Sequence, residues 1–387
     1  MPDSGRIYSL NLRTAKIRFL RTVLVLLFTL VFMGSKSVGR DRPKGTQILV
    51  NDSILQYPDN RPATKYRLRS VDAGIVLKHG TGPDSCDYLG ARDVWVWEDK
   101  GTFYMHYDGA GPRGWLACLA ISRDLLNWET KGAVLGFGAP TQRDCASASY
   151  GTTFFDGKRW HLYYLGTPHA TKKPDFVPAF PYLTMKAVSD LPIGPWEKHY
   201  ETVPFEPRNG TYFDATTSPG QIEKIGSEYL MFFSASTGSP KIMRTISLAR
   251  THVLEGTWRI DSIPMLPPTE QIENSSLFFD STSKIWFLFT NHVGLRDKLE
   301  YTDAVWVYWS RDPNNWDAAN KAVVLDSSGS KWSKHIIGLP SVVKSGNRLA
   351  LFYDGNGEIN MPKGVKSHMN RDIGLAWIDL PIQLPKK

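Results

Sequence analysis

Residues 90–109 read GARDVWVWEDKGTFYMHYDG. Two β-prone runs, VWVW at 94–97 and FYMHY at 103–107, flank the turn EDKGT. Strand, tight turn, strand is a hairpin signal. The phrase then recurs. Runs of the FYMHY kind start at Phe103, Trp160, Tyr229, Trp286 and Leu349, spaced 57, 69, 57 and 63 residues apart. Each follows a turn (EDKGT, FDGKR, KIGSE, DSTSK, KSGNR) and, before it, another short strand at 94–97, 151–155, 220–224, 275–279 or 340–344. A third strand follows in each unit: WLACLAIS, LTMKAVS, RTISLAR, WVYWS and IGLAW. Four units close on a tryptophan: Trp128, Trp196, Trp258 and Trp316.

About 60 residues per four-stranded unit, repeated five times, predicts an all-β, five-bladed β-propeller. Helical period is absent from these runs. The fifth unit has no room for an outer strand. GIVL at 74–77 has the form of the outer strands GAVL (132–135) and AVVL (322–325). The last blade is therefore expected to be closed by this N-terminal strand, which removes two exposed sheet edges. The expected plan is a signal segment at 1–37, a flexible tether at 38–60 and one propeller domain at 61–387.

The net charge of +8 looks like a nucleic-acid signal, but residues 1–44 carry nine Lys/Arg against two Asp, or +7 of it. The body is nearly neutral, so a phosphate-backbone binder is not expected. The leader places basic residues up to Arg21 before the apolar run from Val23 to Met33. Eleven residues make about 16 Å of helix, too short to span a bilayer and the right length for a signal-peptide core. A periplasmic or secreted location follows, with no stable membrane span after processing. Of the three cysteines, Cys118 sits in an apolar stretch and reads as a buried thiol. Cys86 and Cys145 lie in equivalent loops ahead of two consecutive units, where an oxidising compartment permits a disulfide. No metal-site spacing, P-loop, GxGxxG, GxSxG or HExxH is present, and no cofactor is expected.

In a propeller, the loops entering the innermost strands ring one mouth of the central channel. Those loops carry Arg92 and Asp93, then Arg143 and Asp144, then Asp214, then Glu273, then His335. Glycoside hydrolysis needs such a cluster, one carboxyl to protonate the leaving oxygen and another to activate water or attack. Asp93 reads as base, Glu273 as acid and Asp214 as modulator, with Asp214 the acid if Glu273 caps a turn. Arg92, Arg143, Asp144, His292 and His335 read as sugar-hydroxyl binders, and Trp115 as a stacking platform. His169 is a further binder by the same reading. His106 and His161 fall inside strands and read as structural. Asp108 and Asp354, both in YDG, read as turn formers, and Arg371 with Asp372 as a structural ion pair.

The phrase GARDVWVWEDKGTFYMHYDG and the SRDLLNW-type turns resemble the five-bladed propeller glycosidases of family 43, with relatives in families 32, 117 and 130. The resemblance implies a propeller fold and carboxylate catalysis. Family 43 has a general base Asp at the start of its first blade, typically followed by Pro; Asp93 matches it, with Val94 in the Pro position. The family's second Asp falls on Tyr150, and its acid Glu on the stretch Thr217-Ser218-Pro219. Acids on units one, three and four look more like the family 117 arrangement. The expected function is an exported hydrolase of a plant or algal oligo- or polysaccharide, inverting the anomeric centre. A phosphate-dependent phosphorylase and a non-catalytic glycan-binding propeller are the alternatives.

Overall fold

A computed structural model describes residues 45–50, 63–238, 240–296, 299–360 and 364–386. The leader, and most of the expected tether, lie outside the described residues. Strands dominate, with three short 3-10 turns as the only helical elements described.

The repeat becomes five antiparallel meanders. The first runs through Gly90–Asp99, Thr102–Gly111, Gly114–Ser122 and Glu129–Ala133. The second uses Ser147–Phe155, Trp160–Thr167, Leu183–Ser189 and Glu197–Lys198. In the third, the inner strand is split into Thr216–Ser218 and Ile222–Ile225, because Pro219 and Gly220 interrupt the ladder; Glu228–Ser236, Arg244–Thr251 and Arg259–Ile260 follow. Ile272–Asp280, Ile285–Arg296, Leu299–Ser310 and Lys321–Asp326 form the fourth. The fifth pairs Ile337–Ser345, Arg348–Asn356 and Arg371–Asp379, and its outer neighbour is Val71–Leu77.

Side-chain hydrogen bonds link the inner strands to one another. Trp95 Nε1 donates to Thr153 Oγ1 at 3.0 Å, and Thr152 Oγ1 to the Gly220 carbonyl at 2.8 Å. Gln221 N donates to Ser275 Oγ at 3.1 Å, Val342 N to Ser276 Oγ at 2.9 Å, and Val96 N to Ser341 Oγ at 2.8 Å. Each inner strand is thus bonded to two others. The closing tryptophans follow the same order. Trp196 packs against His106, Trp258 against Tyr163, Trp316 against Phe232 and Trp128 against Phe352. The side chain that ends one meander buries its ring on the second strand of another, and this is why the repeat carries a tryptophan there. The turn before it is built locally. Asp124 Oδ1 accepts from Leu126 N and Asn127 N at 2.9 and 2.8 Å, and Trp128 Nε1 donates to the Leu125 carbonyl at 3.0 Å.

Part of the tether expectation is corrected. Thr46–Val50 is a strand, pairing in parallel with Ile382–Gln383 and antiparallel with Tyr66–Leu68. Ile48 and Leu68 are buried in the core beneath the fourth and fifth meanders, and that burial explains why the segment is ordered. Arg67 adds a 2.5 Å ion pair to Asp326.

His106 is structural, and it is poorly served. It is fully buried between Trp97 and Trp196, and neither ring nitrogen has a hydrogen-bond partner among the described residues. Burial holds it neutral, with a pKa lowered to about 3. The unfolded chain therefore binds more protons than the folded one between about pH 3 and 6.5, and stability falls as pH falls through that window. His106→Phe keeps the ring and removes both orphaned nitrogens. Chemical denaturation is expected to find it about 1–3 kcal/mol more stable, with a gain that grows from about pH 7 to about pH 4. A gain independent of pH would exclude the buried imidazole as its source.

Candidate active site

Each inner strand departs from regular pairing at one point. Register shifts fall between Arg92 and Trp95, Ser149 and Gly151, Glu273 and Ser276, and Gly338 and Ser341. A bulge inserts one residue, bends the strand and re-aims a side chain. These bulges contain Asp93, Tyr150, Asn274 and Leu339, and Ser218 ends the strand ahead of the break in the third inner strand. All five line one pocket that is open to solvent. Asp93, Asn274 and Leu339 have φ of +52°, +58° and +55°. Asp and Asn tolerate this left-handed region, whereas Leu adopts it only where the surroundings enforce it.

The bulges are held from behind. Asp93 N donates to Asp354 Oδ2 at 3.3 Å, Asn274 N to Ser234 Oγ at 2.7 Å, and Tyr150 N to Asp108 Oδ1. Asp108, Ser234 and Asp354 occupy the same place in their second strands. Asp108 and Asp354 are thus buried supports of the site, which corrects their reading as turn formers.

Asp93 accepts from Arg92 Nε at 2.7 Å and from Asn274 Nδ2 at 3.2 Å. Burial first, then the charge of Asp93, pushes the Asp108 carboxyl well above the usual range, and a side-chain hydrogen bond joins the two. Asp108 is therefore held protonated, beside an Asp93 carboxyl that already has two donors. Burial likewise raises Asp354 to about 6, against the opposing charges of Arg371 and Arg92. Glu273 pairs with Arg244 Nη1 at 2.7 Å and accepts from Asn291 Nδ2 at 3.3 Å. Arg371 Nη1 lies 3.1 and 3.2 Å from the two oxygens of Asp354, so its ion pair is with Asp354. Asp372 accepts instead from His79 Nδ1 at 2.7 Å. Arg92 Nη1 lies 2.5 Å from His368 Nδ1. A guanidinium can only donate, so Nδ1 is the acceptor and the imidazole proton sits on Nε2. Burial, reinforced by Arg92, Arg371 and Arg244, keeps that ring neutral.

Of the residues expected from sequence, Arg92, Asp93, Trp115 and Glu273 meet at the pocket. Trp115 is not an open platform. It is 1% exposed, lies under the Arg92 guanidinium at 5.4 Å, and donates Nε1 to the Asp175 carbonyl at 3.0 Å. The other six, His169 among them, are not in its lining. Asp214 caps Gly238 N. Arg143 pairs with Glu206 on the surface. Asp144 is buried with Lys198 at 2.5 Å and Tyr164 at 2.9 Å. His292 is buried on the Trp306 ring, with Nδ1 3.6 Å from Asp303. His335 Nε2 bonds the Ile359 carbonyl at 2.8 Å. Sequence reasoning missed Asp108, Arg244, Asp354, His368 and Arg371 as pocket or support residues. The repeated YDG was the available signal for the two aspartates.

No protein-family model matches the chain, and no curated protein sequence does either. Solved structures do match its fold. BT0996, solved as an RGII complex, is 16% identical over 82% of this protein and 94% of its own length, with a TM-score of 0.61. The catalytic domain of the Coprinopsis cinerea GH62 α-L-arabinofuranosidase is 12% identical over 80% and 96%, at 0.57. A family 117 glycoside hydrolase from the marine bacterium Zobellia galactanivorans is 14% identical over 80% and 90%, at 0.53. The protein thus shares the all-β fold of propeller glycoside hydrolases.

Proposed function

We propose that this chain is an exported glycosidase built as five blades around one axis. The cyclic order of hydrogen bonds between inner strands supports the blade count. The pairing of Val71–Leu77 with Arg371–Asp379 supports closure by the N-terminal strand. Export rests on the leader sequence, with residues 1–37 as the signal segment.

The observation that carries the activity is the pair Asp93 and Glu273 lining one pocket, with Asn274 linking them in sequence and by its bond to Asp93. Asp93, held by Arg92 and Asn274 beside a protonated Asp108, takes a proton from water. Once substrate displaces its ion pair with Arg244, Glu273 takes a proton from solvent and gives it to the leaving oxygen. Direct attack of water inverts the anomeric centre. The substrate is a plant or algal oligo- or polysaccharide. Each pocket arginine already has a carboxylate partner, Arg92 with Asp93, Arg244 with Glu273 and Arg371 with Asp354. Arg92 and Arg371 keep their partners when substrate enters, which favours water over phosphate as the acceptor.

A panel of plant and algal oligosaccharides, assayed with and without phosphate, tests the reading. Turnover without phosphate is expected. Binding without turnover on any member would leave a glycan-binding propeller. Glu273→Gln is expected to lose about 10²–10⁴-fold on natural linkages and far less on aryl glycosides whose leaving group needs no proton. Asp214→Asn should stay within about threefold of the parent on both, since its carboxyl caps a turn away from the pocket. Equal losses by Glu273→Gln on both substrate types would remove it as the acid.

A further inference from the structure

We propose that Cys86 and Cys118 are the two halves of a disulfide that forms when the folded chain is oxidised. The sequence pointed to Cys145 as the partner of Cys86. In the structure all three thiols are free, and Cys86 packs on the apolar cluster that holds Cys118, with its carbonyl beside the Cys118 sulfur.

Two glycines make the approach. Cys118 lies on Gly114–Ser122, opposite Tyr107. Cys86 follows the short 3-10 turn Pro83–Ser85 and packs on the apolar cluster that contains Cys118 and Tyr107. A Cβ at Gly109 would stand 2.4 Å from Cys118 Sγ and 2.5 Å from the Cys86 carbonyl. One at Gly82 would stand 2.5 Å from Cys86 Sγ. Any side chain at either place would drive the loop off the sheet. The loop is fixed at its far end as well. Asp87 is buried, accepts from Gly82 N at 2.9 Å and from Tyr107 OH at 3.1 Å, and its carbonyl receives Gly90 N at 3.1 Å. Cys86 is therefore held against the strand that carries Cys118 by backbone that is already fixed.

Their environments differ in the sense the chemistry needs. The contact with Cys118 lowers the Cys86 thiol, whereas burial raises Cys118. Cys86 is half-buried and is the first nucleophile. Its thiolate attacks one sulfur of a small disulfide such as oxidised glutathione. A bond forms from Cys86 to that sulfur, and one glutathione thiolate leaves. Cys118 gives up its proton to that thiolate and attacks the Cys86 sulfur, expelling the second glutathione. Two protein thiols are oxidised and one glutathione disulfide is reduced. The product ties the loop ahead of Arg92 and Asp93 to the third strand of the same meander.

The test is a thiol count on the full chain after equilibration with oxidised glutathione, read in denaturant. One titratable thiol and a non-reduced peptide joining Cys86 to Cys118 are expected, with a melting temperature about 5 °C above the reduced form. Cys145→Ser should still lose two thiols. Cys86→Ser, a change outside the sheet, should lose none. Three remaining thiols, a Cys86–Cys145 peptide, or glutathione trapped on Cys86 with Cys118 still free would each overturn the proposal.

Discussion

Asp93→Asn is expected to lower glycoside turnover by at least about 10²-fold, on natural linkages and on aryl glycosides alike. Loss of the base removes water activation whatever the leaving group, which separates it from the selective loss expected of Glu273→Gln. The amide is nearly isosteric and tolerates the φ of +52° at this bulge. Its one carbonyl oxygen can still accept from Arg92, and the backbone bond to Asp354 still holds the bulge, so the fold should survive the loss of the Asn274 bond. Steady-state kinetics beside a melting curve checks this. Activity that falls together with melting temperature would indicate a collapsed bulge. Unchanged activity in a stable variant would remove Asp93 from the chemistry. Sparing of the aryl glycosides would exchange the roles of Asp93 and Glu273.

Arg371→Met is expected to cost about 3–5 kcal/mol of folding stability, the usual penalty for stranding a buried charge. Arg371 is 1% exposed, and besides Asp354 it contacts the Ser367 carbonyl at 3.0 Å and Thr302 Oγ1 at 3.4 Å. Its removal leaves the Asp354 carboxylate in the core with its cation gone. Asp354 already has a folded pKa of about 6, above its ordinary value, so the folded state binds the extra proton between about pH 4 and 6. The penalty should therefore be larger at about pH 8 than at about pH 5, where Asp354 is neutral. Denaturant midpoints at the two pH values measure it. Adding Asp354→Asn should recover part of the loss at the higher pH and little at the lower. A penalty below about 1 kcal/mol would mean that the pair carries little of the core's stability.

The meanders were legible because a hairpin is local: its strands, its turn and its closing tryptophan fall within one phrase of about 60 residues. Thr46–Val50 and Tyr66–Leu68 were not, because they belong to no repeat and pair with Ile382–Gln383 and Lys321–Asp326, far along the chain. Asp93 and Glu273 could be found because they stand at the entry of inner strands. Asp108 and Asp354 were misread because YDG is also what a turn looks like. Their work lies across a strand boundary, on the backbone N–H of a bulge in another meander, and spacing along a chain does not report register across a sheet. Asp214, Asp144 and His292 were overread for the converse reason. Each sits at a promising place in the phrase, and each is turned by local geometry toward a partner away from the pocket.

Val71–Leu77 meets its neighbour only when Arg371–Asp379 exists. A ribosome making this chain has to deliver nearly all of it before that outermost ladder can zip. Until then the early meanders hold open edges, a state that favours chaperones over a finished fold. Under the export proposed above, such a delay is useful: a translocation channel needs a thread, and this topology leaves that ladder open until Arg371–Asp379 is made.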